Sequence, residues 1–170
     1  MAYMWLRSVV LYIHILAAIF WVGEMLFLST VVGPYSRRLA PSQRTELFTA
    51  LGRRSRPWAW GAMAVLVVTG LLNVTLAGIP LSALIDPRFF QTALGATLDL
   101  KVLLVVAMIA VALWHDSVVS ARGNPLPSPP GQVALSAALR RRRQASWLGR
   151  IALLLALAVV FLAVRLALYL

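Results

Sequence analysis

Val9-Val10-Leu11-Tyr12-Ile13-His14-Ile15-Leu16-Ala17-Ala18-Ile19-Phe20-Trp21-Val22-Gly23 is an apolar run interrupted by one histidine, His14. It belongs to a longer apolar stretch, 6–31, and a helix needs about 20 such residues to cross the roughly 30 Å hydrocarbon core of a bilayer. A cleaved signal peptide has a shorter apolar core followed by a small-residue cleavage site, so this stretch predicts a retained membrane span. Three further stretches, 58–79, 97–120 and 147–169, are long enough to cross as well. The expected fold is an all-α integral membrane protein: a four-helix bundle forming a single membrane domain over 1–170.

Composition agrees. Of the 170 residues, 61% are apolar and the mean hydropathy is +0.85, against the roughly 45–50% apolar content of soluble domains. The chain has no cysteine, which excludes disulfides, thiolate metal sites, iron–sulfur clusters and cysteine nucleophiles. The net charge of +11 comes almost wholly from arginines grouped between the apolar runs, with Lys101 the only lysine. That grouping marks cytoplasmic loops rather than a nucleic-acid surface.

Arg37, Arg38, Arg44, Arg53, Arg54 and Arg56 lie between the first two spans, and Arg122, Arg140, Arg141, Arg142 and Arg143 between the last two. The middle loop carries only Arg88, balanced by Asp86. Positive charge near span ends thus places the first and third loops in the cytoplasm and both termini outside the inner (plasma) membrane of a bacterial-type cell. Trp5 and Tyr169 would mark the outer interface, and Trp58, Trp60 and Trp147 the inner one. Anionic headgroups are the expected partners of Arg140, Arg141, Arg142 and Arg143. Within the first loop, Thr45–Leu51 before Gly52 has the apolar spacing of a short helix lying on the membrane surface. In the third, the proline-rich run 125–131 predicts an extended linker.

Ionisable groups inside a span cost several kcal/mol and point to function. They include His14 and Glu24 in span one, Lys101, His115 and Asp116 in span three, and Arg165 in span four; Asn73 in span two is neutral but equally in need of partners. At about 1.5 Å per residue, His14 lies roughly 12 Å below the outer surface, Lys101 roughly 6 Å and Asn73 roughly 9 Å. These three form one outer layer, with Arg165 just above it. Glu24 and His115, each about 27 Å down by the same rise, form a second candidate metal layer. The separation of about 15 Å between His14 and His115 argues against one heme held between them. Lys101, Met108 and His115 repeat every seven residues on one helix face, as do His14 and Trp21. Met1, Met4, Met25, Met63 and Met108 are not clustered, so most are read as packing. No phosphate loop, nucleophile elbow or His-Glu-x-x-His zinc site is present.

The run from His14 to Gly23, with its histidine one helical repeat before Trp21-Val22-Gly23, resembles the opening helix of the CopD-like copper-resistance membrane domain and of the related HemJ-type protoporphyrinogen oxidase. Val68-Thr69-Gly70-Leu71 resembles the Thr-Gly-Leu of the same domain, and Leu94-Gly95-Ala96-Thr97-Leu98-Asp99-Leu100-Lys101 its third-helix entry. The resemblance implies a four-helix core in which His14 and Lys101 are the functional pair. Its HemJ branch implies b-type heme and porphyrin oxidation, and its CopD branch copper uptake or tolerance. Where the HemJ branch has an arginine-containing stretch after the first helix, this chain has Ser29-Thr30-Val31-Val32-Gly33-Pro34.

The leading expectation is a b-type heme protein of membrane redox chemistry with a quinone or porphyrin substrate. His14 would be the axial ligand, Lys101 the opposite ligand or a propionate partner, Arg165 a second propionate partner, Asn73 the residue orienting His14, and Trp21 part of the pocket. The alternatives are copper handling at His14, with Glu24 and His115 further along the path, and a structural subunit of a homo-oligomer or larger complex. A flat cavity between spans one and three would favour heme. A polar path from His14 towards Glu24 and His115 would favour copper.

Overall fold

The computed structural model describes residues 1–120 and 132–168. Among them every regular element is helical: α1 (Ala2–Phe27), α2 (Gly33–Ser36), α3 (Pro41–Leu76), α4 (Pro87–Phe90), α5 (Ala93–Ser120) and α6 (Gln132–Ala167). Four helical stretches are long and apolar enough to cross a membrane: Ala2–Ser36, Pro41–Leu76, Ala93–Val118 and Arg143–Ala167. Their outward faces are apolar, with Ile19, Leu103 and Phe161 each 63% exposed. Large side chains displayed in this way on every span fit lipid as the surrounding solvent. The proline-rich run 125–131, Arg122 and Tyr169 lie outside the described residues.

The chain divides into two units, the first Met1–Thr92 and the second beginning at Ala93. In the first, α1 packs along α3. The Tyr3 hydroxyl donates to the Leu76 carbonyl and His14 meets Thr69, so low numbers on α1 pair with high numbers on α3 and the two form an antiparallel hairpin. Hydroxyls inside these helices return to their own backbone, which supplies the acceptor that lipid cannot. Ser8 Oγ donates to Met4 O at 3.0 Å, and Thr75 Oγ1 to Leu72 O at 2.9 Å.

Pro34 shapes the end of α1. Having no N–H, it cannot bond the carbonyl four residues back, and its ring crowds that carbonyl. The backbone widens into a π-turn over Leu28–Val32, with the Gly33 N–H reaching Leu28 O, and then resumes as α2. The Ser36 hydroxyl, fully buried, closes the turn on Gly33 O at 2.7 Å.

One expectation for the arginine-bearing segments is corrected. Thr45–Leu51 is not a separate surface helix: it forms the early turns of α3, which runs unbroken through Gly52 and Pro57 to Leu76. A helix of 36 residues is about 54 Å long at 1.5 Å per residue, well beyond the roughly 30 Å hydrocarbon core. Its first turns therefore stand outside the apolar layer, where water can take the carbonyl that Pro57 leaves unbonded. Arg44 stacks there over the Phe48 ring at 5.9 Å. Positions 140–143 lie, as expected, ahead of the apolar part of the last span, which begins at Arg143, and they are helical as part of α6, with Arg140 and Arg143 exposed and Arg150 over the Trp147 ring at 5.4 Å.

Gly78 ends α3. It takes φ +79°, a left-handed conformation that costs glycine little. The Gly78 N–H bonds Thr75 O at 3.0 Å and the Ile79 N–H bonds Val74 O at 3.2 Å, a Schellman closure followed by Pro80. After a short 3-10 turn at Leu81–Ile85, the Asp86 carboxylate caps α4 by accepting the Arg88 N–H at 2.9 Å. Asp86 thus answers Arg88 through its backbone. In the second unit α5 packs along α6. The α6 seam is Ala145, Leu148, Ala152, Ala156, Leu162 and Leu166, all buried. Its small residues allow close backbone approach, which drives helix association where lipid tails are as apolar as leucine.

Candidate metal-ligand site

A histidine side chain inside a membrane hairpin needs a partner for each polar atom. His14 is half-buried on α1, and its Nδ1 lies 2.7 Å from the Thr69 hydroxyl on α3. Thr69 is 7% exposed and its Oγ1 also contacts the Val65 carbonyl at 2.5 Å. Asn73, read from the sequence as the residue orienting His14, is half-buried one helical turn further along α3.

Gly70 completes the setting. A Cβ built there would meet His14 Cε1 at 3.4 Å and Nδ1 at 4.0 Å, so the imidazole lies against glycine backbone with little space to spare. Gly70→Ala is expected to leave the ring in place, since 3.4 Å is ordinary contact, and to raise stability by about 0.5–1 kcal/mol through helix propensity. Gly70→Leu would put branch atoms where the ring sits and push it off Thr69. Thermal melting and the His14 ring NMR signals should separate the two variants; an undisturbed ring in Gly70→Leu would contradict the close approach.

Trp21, two turns from His14 on α1, is 4% exposed. Between these two positions runs an open apolar groove of 400 Å³ lined by Ala17, Phe20, Trp58, Gly61, Ala62 and Val65. This small-residue groove belongs to the hairpin of spans one and two. Glu24 is half-buried further down α1.

In the second unit, Lys101, His115 and Asp116 are half-buried on α5 and Arg165 is exposed on α6. Met108, midway between Lys101 and His115, is 4% exposed, so the seven-residue repeat follows a partly buried face. Asp99, quoted in the sequence only as part of a motif, has a buried Oδ2 with no hydrogen-bond partner among the described residues. Two positions apart on a helix, Asp99 and Lys101 do not face each other. Among the described residues no group of three His, Cys, Asp or Glu side chains gathers to form a metal cage.

Sequence reasoning missed Thr69. Hydrogen-bonding capacity favoured Asn73, the more polar residue in the same layer. The useful signal was the antiparallel register, which sets position 14 nearer to 69 than to 73 when the chain reverses before Pro41.

Comparison with protein families matches residues 49–166 to CopD, copper resistance protein D. A protein of Aquifex aeolicus (strain VF5), described only as uncharacterized, is 31% identical over 164 residues, 96% of each chain. No solved structure matches.

Proposed function

Since this chain belongs to the copper resistance protein D family, we propose that it is a multi-pass membrane protein that takes a copper ion as cargo, with the His14 imidazole as the ligand that receives it. The observation that carries this reading is the half-buried imidazole held at 2.7 Å by Thr69 against the Gly70 backbone. Imidazole suits copper, and among the described residues no group of three His, Cys, Asp or Glu side chains gathers into a cage. A transported ion must also leave again, so its site calls for few, separable ligands rather than a closed cage. The membrane is that of a bacterial-type cell, with the arginine-bearing ends of α3 and α6 on the cytoplasmic side.

The test is a copper(I) titration of the protein in mild detergent under reducing conditions, against a chromophoric competitor. Saturable uptake of a single ion per chain is expected. No uptake above the detergent blank would sink the reading. An absorption spectrum after expression with heme supply separates the rival: a Soret band with sharp reduced α and β bands would make His14 an axial ligand of b-type heme instead.

A further inference from the structure

The proton arrangement around His14 goes beyond its identity as a ligand. Thr69 Oγ1 carries one hydrogen. It contacts the Val65 carbonyl at 2.5 Å and, at longer range, the Leu66 carbonyl at 3.5 Å. Carbonyl oxygens only accept, so the hydroxyl hydrogen is committed to the α3 backbone. Towards His14 Nδ1, 2.7 Å away, the same oxygen can act only as acceptor, and Nδ1 must carry the proton. A neutral imidazole has one N–H, which leaves the lone pair on Nε2.

We infer that Thr69 is a positioning residue that fixes His14 in its Nδ1–H form and so presents Nε2 as the nitrogen that binds metal. Neutral histidines of metal sites are set in this way: the hydrogen bond made by one nitrogen decides which nitrogen the other partner meets. Geometry supports the assignment twice. Thr69 is buried, so water does not compete for its oxygen. Its back-bond to Val65 also holds the hydroxyl in one rotamer, so the acceptor is already aimed before the ring arrives. The functional meaning rests on the proposed copper reading; the tautomer itself does not.

The chain has two histidines, so His115→Gln leaves one imidazole whose nitrogens can be read by long-range ¹⁵N–¹H correlation in micelles. The Nδ1–H pattern is expected. Adding Thr69→Val keeps the shape but removes the acceptor, and the ring should pass to the Nε2–H form or a mixture; Thr69→Ser should restore the Nδ1–H form. An Nε2–H ring in the otherwise native chain would overturn the inference without any Thr69 variant, as would an unchanged Nδ1–H ring in Thr69→Val. Copper(I) affinity, measured with His115 intact, should fall about 10- to 100-fold in Thr69→Val and recover in Thr69→Ser. A changed tautomer with unchanged affinity would uphold Thr69 as the positioning residue and overturn His14 as the copper ligand.

Discussion

Replacing His14 with alanine should lower copper(I) affinity by at least about 100-fold, equivalent to about 2.8 kcal/mol at 1.4 kcal/mol per tenfold. The size follows from chemistry that the surroundings cannot replace. Two groups lying beside the ring in the α1/α3 hairpin are the Thr69 hydroxyl, already engaged with Val65 O, and the Gly70 backbone. Neither offers the nitrogen lone pair that copper favours. The bundle should survive the change, because the histidine is only half-buried and alanine is the best helix former. His14→Asn is the stricter variant: its Nδ2 takes the place of Nδ1 and can still donate to Thr69, so it keeps the hairpin contact while losing the imidazole. Both variants should fail in the competition titration while melting within a few degrees of the parent. Affinity within threefold of the parent for either one would remove His14 from the site.

How much of this was legible beforehand varies with the physics. The four spans were readable because lipid demands about 20 apolar residues in each, a constraint written directly into composition. His14 was readable for the converse reason: an ionisable group in hydrocarbon is costly enough to stand out. Thr69 was not, because a threonine in an apolar helix normally satisfies itself on its own backbone. It does so here through Val65 O, and the contact with His14 is an addition that only the packing of α1 on α3 reveals. The membrane-surface reading of Thr45–Leu51 failed because Gly52 looks like the end of a helix. Glycine costs only about 1 kcal/mol in a helix interior, and Pro57 sits close to the water-facing turns, where the carbonyl it frees can still be hydrated. The π-turn at Leu28–Val32 has an evident cause in Pro34, but the sequence alone leaves open whether a proline kinks, widens or ends a helix.

The second large effect concerns the hairpin rather than the ligand: Trp21→Ala should lower stability by about 3 kcal/mol, the low end of the range for emptying a buried aromatic site. In a soluble core part of such a loss is the return of apolar surface to water. In a bilayer that part shrinks, because lipid tails are as apolar as the protein interior, and what remains is lost packing and the cavity. With Trp21 at 4% exposure, the cavity is not open for lipid to fill. At about 2–4 °C per kcal/mol for a chain of this size, the midpoint in detergent should drop by about 6–12 °C. Trp21→Phe, which keeps most of the volume, should lose less than half as much. Trp21 is seven residues from His14, about 10 Å along the axis, so copper affinity measured well below the midpoint should stay within threefold of the parent. A midpoint unmoved by Trp21→Ala would mean that the side chain is not packed as described. A large loss of copper affinity in a well-folded Trp21→Ala chain would instead make the tryptophan part of the metal site, and the groove between it and His14 would become part of the ion's path.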